Sequence, residues 1–281
     1  MLRRPHFEEP MSRLAAWSRR LAVFALAVAA LSIVIVRSNL LELEPALATF
    51  GAALGLAGLA VLLALASFAT IWRQGLGGLG RALTGLLLGL MLLAYPAYLG
   101  YRATRLPALT DISTDTANPP RFDVLARERP PGRVAYPAAT AARQRAAYPD
   151  LVPLQEDLAP QLAYRAALGV VLQRKWQLVD AHPPGGVRRD GTIEAVARTP
   201  IMGFRDDVVI RLTPVADGTL IDVRSAARFG SQDFGTNASR VRSLLDDIDE
   251  AAGALAPELQ PEPDKDKNSV TNRPVRRAPK K

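Results

Sequence analysis

Residues 46–72 read ALATFGAALGLAGLAVLLALASFATIW, an unbroken apolar stretch without one Asp, Glu, Lys, Arg or His. A helix of that length exceeds the roughly 30 Å hydrocarbon core of a bilayer, so the stretch predicts a transmembrane span. Working outward, residues 82–101 are a second run of the same kind. Residues 21–36 are a shorter one, set between Arg19-Arg20 and Arg37. As a helix the shorter run covers only about 24 Å, and it spans if the flanking arginines snorkel toward the interfaces. A cleavable signal peptide is the competing reading, and Ala27-Val28-Ala29 spells a cleavage site. That site lies in mid-run and would leave too short an apolar region ahead of it, so the run reads as a signal anchor.

Gly51-x-x-x-Gly55 and Gly85-x-x-x-Gly89 place small residues on one face of the second and third spans, which predicts that these two helices pack closely. Pro96 predicts a kink near the end of the third span, where Tyr95, Tyr98 and Tyr101 form an interfacial belt. With no ionisable residue inside any run, the spans read as an anchor rather than an ion or proton path. Arg3, Arg4, Arg13, Arg19 and Arg20 precede the first span, and Arg73 and Arg81 lie between the second and third. Arg37, Arg102 and Arg105 fall on the other side. The positive-inside rule therefore predicts a cytoplasmic N-terminus over residues 1–20 and an extracytoplasmic segment after Tyr101.

The formal charge of +8 is unevenly placed. Residues 106–256 hold 18 Lys and Arg against 19 Asp and Glu, so the folded part is nearly neutral. The excess lies around the spans and in residues 257–281, which read as a disordered basic tail. Nucleic-acid binding needs a concentrated basic surface and is not expected. The absence of Cys removes disulfides, thiolate metal sites and cysteine nucleophiles.

Residues 106–256 predict an α+β domain. Residues 107–137, rich in Pro, Thr, Asp and Arg, read as an extended lead-in or as a segment packed along the domain. Helices are expected over 138–147, 159–175 and 237–255, the last with Val241, Leu244, Leu245, Ile248, Ala252 and Leu255 on one stripe. Strands are expected over 176–181, 192–199, 207–212 and 220–225. Their two-residue alternation predicts an antiparallel sheet of about four strands, packed by helices on one face and carrying a solvated polar face on the other. Pro200 to Gly203 and Asp217-Gly218 supply hairpin turns.

Several motif matches carry little. Gly75-Leu-Gly77-Gly-Leu-Gly80 spells a dinucleotide loop but follows a membrane span and no βαβ unit. Asn237-Ala-Ser239 spells a glycosylation sequon where the last helix begins, and capping by Asn237 or Thr236 is the expected use. Only His6 and His182 are present, which leaves Ser225 with His182 a poor start for a nucleophilic triad and excludes multi-His zinc sites. No cofactor is expected. A carboxylate cation site from Asp206, Asp207 and Asp233 is the remaining catalytic option.

The polar residues concentrate in one region: Asp206, Asp207, Arg211, Asp222, Arg224, Ser225, Arg228, Asp233, Asn237 and Arg240. They read either as cross-strand salt bridges followed by a capped turn, or as an anion or ligand site that also uses the amides of the last helix. The stretches Phe204-Arg-Asp-Asp-Val-Val-Ile-Arg211, Ile221-Asp-Val-Arg-Ser-Ala-Ala-Arg-Phe-Gly230 and Asp233-Phe-Gly-Thr-Asn-Ala-Ser-Arg240, with Asp111-Ile-Ser-Thr-Asp115 and Pro119-Pro-Arg-Phe122 upstream, resemble the family catalogued as domain of unknown function 1499. The resemblance covers about Asp111 to Ile248, with Ala227 standing where a Ser is expected and Gln232 where a small residue is usual. It implies a bacterial, membrane-anchored protein and brings no activity with it.

The resulting expectation is a multi-pass protein of the bacterial inner membrane whose periplasmic module binds an envelope ligand or a membrane-protein partner. The alternatives are a hydrolase or lyase using carboxylates with a divalent cation, and an accessory subunit of a membrane complex.

Overall fold

The computed structural model describes residues 10–38, 43–185 and 189–255. The tail expected at 257–281 and the first nine residues lie outside these. Three long helices come first: α1 (Arg13–Ser38), α2 (Leu43–Gln74) and α3 (Leu79–Arg105), about 39, 48 and 40 Å long. All three are long and apolar enough to cross a membrane. The helix holding the shortest apolar run extends through Arg19-Arg20 and Arg37, so its ends reach past the uncharged residues 21–36.

Small residues form the seam of this bundle. Ala22, Ala25, Ala29 and Ser32 of α1 are buried with Ala53, Ala57, Ala60 and Ala64 of α2. The Ser18 hydroxyl donates to the Ala60 carbonyl at 2.8 Å, tying α1 to α2 inside an apolar environment. Gly85 and Gly89 of α3 lie at close approaches, because a Cβ on Gly85 would stand 2.0 Å from Ser18 Oγ and one on Gly89 2.7 Å from Val61. The other predicted glycine pair is corrected: a Cβ on Gly51 or Gly55 would meet nothing outside its own helix within 4 Å, and alanines take the seam of α2. Alanine at helical spacing presents nearly as small a surface, and a glycine pattern alone cannot tell which face it lies on.

The α+β domain follows as β1 (Asp111–Ser113), a short 3₁₀ helix (Leu125–Glu128), α4 (Ala138–Ala147), β2 (Leu154–Glu156), α5 (Pro160–Gln173), β3 (Gln177–His182), β4 (Gly191–Arg198), β5 (Arg205–Val215), β6 (Gly218–Ala227) and α6 (Thr236–Leu255). The sheet is antiparallel in the order β1-β6-β5-β4-β3, with β2 also paired to β6. It has six strands rather than about four, since β1 and β2 are three residues each and too short to show an alternation. The β5–β6 turn requires glycine: Gly218 has φ +117°, and a Cβ there would lie 2.0 Å from the Glu156 carbonyl oxygen.

One face of the sheet carries Ile193, Ala195, Ala197, Val208, Ile210, Leu212, Ile221 and Val223 against Val170 and Val171 of α5 and Val241, Leu244 and Ile248 of α6. The opposite face is covered too, which corrects the expected solvated polar face. Phe122 and Leu125 of the lead-in pack on Val196, Val209 and Ala226. Residues 107–137 are thus the second layer of the domain, held by polar pairs rather than by a periodic apolar stripe.

The domain docks on the bundle through the β4–β5 turn. Met202 is buried with Val36 and Ala46, and Ile33, Leu43, Phe50 and Phe204 pack around them. The Arg37 guanidinium donates to the carbonyls of Pro200 (2.7 Å) and Ile201 (3.1 Å), and Arg198 donates to the Arg37 carbonyl at 2.9 Å. Gly203 fits against Arg37 only without a side chain, with a would-be Cβ 2.8 Å from Arg37 Cγ and φ at +72°.

Candidate functional site

Successive strand residues point to opposite faces, and this divides the predicted polar cluster in two. Asp206 and Asp207 lie inside β5, which begins at Arg205, and face opposite sides of the sheet. Asp207, Arg211, Asp222, Arg224 and Arg228 meet under the lead-in. Asp206, Ser225, Asn237 and Arg240 meet on the helix side, with Asp233 at the start of α6.

Under the lead-in, Arg224 is 2% exposed and grips Asp111 with two parallel bonds, Nε to Oδ1 at 2.9 Å and Nη2 to Oδ2 at 2.7 Å. Its remaining donors reach the carbonyls of Pro120 and Val134, and its guanidinium lies over the rings of Phe122 (4.6 Å) and Tyr136 (5.8 Å). Asp207, fully buried, is held by Arg129 at 2.6 Å and by Arg228 at 2.8 Å. Arg211 bridges Asp222 at 2.7 Å and Asp115 at 3.1 Å, as its register opposite Asp222 allows. Glu194 accepts the backbone N–H groups of Asp123 and Leu125. Burial pushes the Glu194 carboxyl up, against those two bonds, and pushes the Arg129 guanidinium down, against the charge of Asp207. Each of these charges spends its bonds on the lead-in or on a neighbouring strand.

On the helix side, Arg240 joins three partners: Asp206 at 2.5 Å, Ser225 Oγ at 3.0 Å and Asn237 Oδ1 at 2.5 Å. Asn237 also accepts from Ser225 and donates to the Thr110 carbonyl. The expected capping role of Asn237 or Thr236 passes to Asp233, whose carboxylate accepts the amides of Gly235 and Asn237, both at 2.9 Å. Asp206 and Asp233 are both raised by burial, with Arg240 opposing the rise at Asp206 and the helix-start amides opposing it at Asp233. Since Asp207 faces away from these two, the three carboxylates do not converge. Among the described residues no three His, Cys, Asp or Glu groups are placed to hold a metal ion.

A cavity of about 410 Å³ opens where the domain meets the bundle, beside the helix-side network. Leu43 and Leu47 of α2 and Tyr95 and Leu99 of α3 form one wall. Phe204, Phe229 and Phe234 also line the cavity, and Arg205, Asp206, Gln232 and Asp233 are its larger polar groups. A second cavity of about 300 Å³, lined by Val36, Glu128, Arg205 and Arg228 among others, shares Leu43, Phe204, Arg205 and Phe229 with the first.

The profile of the family described as "Protein of unknown function (DUF1499)" matches residues 111–248. These residues are a DUF1499 domain. The match begins at the first residue of β1 and ends inside α6, so it includes both sheet faces and the lead-in but none of the three long helices. A comparison with curated proteins gives no match. Within the DUF1499 domain, the upstream residues that carry the resemblance, Asp111, Asp115, Pro120 and Phe122, are the ones that meet Arg224 and Arg211.

Arg129, Glu194 and Arg205 were not among the residues singled out by sequence. Arg129 belongs to a Pro- and Arg-rich stretch without period, and nothing there marks it. Glu194 stood in plain view as a charge in the middle of a largely apolar strand. Arg205 adjoined the Asp pair but carried no pattern of its own.

Proposed function

We propose that this chain is a membrane-anchored binding module whose domain faces the extracytoplasmic side and takes an apolar-bodied ligand of the envelope at the junction between bundle and domain. The junction cavity carries the reading: its size suits a small ligand, its walls are mostly apolar, and a few polar groups line it. The cross-sheet charges support it indirectly, because their bonds are spent inside the domain. The side of the membrane rests on the arginine distribution and on insertion of all three helices. The packing of α1 against α2 through Ser18 and a row of alanines is consistent with a retained first helix.

Two measurements test this. Alkaline phosphatase fused after Tyr101 is expected to be active, and an inactive fusion would overturn the orientation. The full chain purified in mild detergent is expected to carry an extractable amphiphile, and Leu47→Trp, which fills the cavity, is expected to reduce its yield. Identical extracts from the two proteins would refute the cavity as the binding site.

A further inference from the structure

Three arginines lie side by side at the membrane end of the sheet. Arg198 of β4 pairs directly with Arg205 of β5, and Arg228, just beyond β6, donates its backbone N–H to the Arg205 carbonyl at 3.3 Å. Like charges opposite one another across strands repel, so such a row needs counter-charges. Arg228 has them in Asp207 and Glu128. Arg198 donates to a backbone carbonyl, that of Arg37, and forms no ion pair among the described residues. The Arg205 side chain has neither an ion pair nor a hydrogen bond among them, and its Nε is buried without a partner. Burial, then the charges of Arg198 and Arg228, hold its guanidinium below the usual arginine range.

Arg205 therefore lines both cavities as a half-buried cation with bonding capacity left over. The neighbouring carboxylates are paired elsewhere: the charges of Glu128 and Asp207 reach Arg205, but Glu128 is bound by Arg228 and Asp207 by Arg129 and Arg228, while Asp206 is held by Arg240 and Asp233 by the amides at the start of α6. Arg37, at the end of α1, adds a fourth guanidinium bound only to carbonyls. Arg205 is the member of this row that lines the junction cavity, together with Leu43, Leu47, Tyr95 and Leu99 from helices that cross the membrane in the proposed reading.

Resting on that reading, we infer that the occupant is an anionic phospholipid, its phosphate held by Arg205 with Arg198 and one acyl chain laid in the junction cavity. Planar guanidinium groups bind phosphate oxygens through paired, charge-assisted bonds. A soluble phosphate would gain nothing from the apolar wall. A zwitterionic lipid would leave the row with less compensation, and basic pockets beside membrane helices are suited to anionic headgroups.

The test uses the full chain in mild detergent, equilibrated with an equimolar mixture of phosphatidylglycerol and phosphatidylcholine, the retained lipid being measured by mass spectrometry. Phosphatidylglycerol is expected to be enriched, and Arg205→Gln to lower the enrichment roughly fivefold, as about one lost lipid-facing charge implies. Arg19→Gln, at the other end of α1, is expected to leave it unchanged. Equal retention of both lipids, with Leu47→Trp still releasing them, would overturn the headgroup assignment while leaving the junction cavity as a binding site. Unchanged enrichment in Arg205→Gln would overturn it as well. Displacement of the lipid by inorganic phosphate at millimolar concentration would identify a free anion as the ligand and refute the lipid. If no lipid is retained and Leu47→Trp changes nothing, both the inference and the proposed function fall.

Discussion

Removing the Arg224 guanidinium is the sharpest way to ask what holds the lead-in to the sheet. Arg224→Ala would leave the Asp111 carboxylate, buried at 5% exposure, with its two charge-assisted bonds gone. Breaking a buried ion pair from one side costs about 3–5 kcal/mol, because the remaining charge is neither paired nor hydrated. Loss of the stacking on Phe122 and Tyr136 adds to this. A loss of about 4 kcal/mol is a large share of the 5–15 kcal/mol typical of a domain, and at this size it corresponds to a fall of roughly 8–16 °C in Tm. The assay is urea unfolding of the full chain in mild detergent. Trp17 and Trp72 are replaced by Phe so that Trp176, which packs against the domain core, is the sole reporter. Asp111→Ala is expected to be costly too, and the double variant much less so than the sum, with a coupling of at least about 2 kcal/mol. A cost below about 1 kcal/mol for Arg224→Ala, or additive single variants, would refute the claim that this pair secures the second layer.

Further outcomes follow from close approaches and from one raised carboxyl. Gly85→Leu is expected to disrupt the bundle, since its Cβ alone would collide with Ser18, whereas Gly55→Leu faces open space and is expected to be tolerated. Equal helix-bundle melting of the two in detergent would contradict this. Gly218→Ala is expected to destabilise the domain by more than about 1 kcal/mol, from left-handed strain and the clash with the Glu156 carbonyl, and an unchanged urea midpoint would contradict it. Burial, then the nearby charge of Asp249, raise Glu156 from 4.5 to about 7. Because the folded state holds this proton more tightly than the unfolded chain, the contribution is present below about pH 4.5. It is lost as the pH rises through about 7. Glu156→Gln is therefore expected to flatten the Tm profile in that window, and a profile parallel to that of the unmodified protein would show that Glu156 is not the group responsible.

The sequence by itself determined the three helices, the order of the longer strands and the stripe of α6, because a long apolar run and a strict alternation each report a single local period. It also marked the residues of the polar cluster. Only the tertiary structure decided how those residues divide. Asp206 and Asp207 are adjacent in the chain yet act on opposite faces, since successive side chains along a strand point to alternate sides of the sheet. The lead-in carried no period because it is held by Asp111, Asp115, Phe122 and Arg129 at irregular positions, each fitted to a partner about 80 to 110 residues away. The unpaired state of Arg205 was least visible of all. Whether an arginine has a counter-charge depends on every strand and helix that comes near it, and that is settled only when the β4–β5 turn docks on α1 and α2.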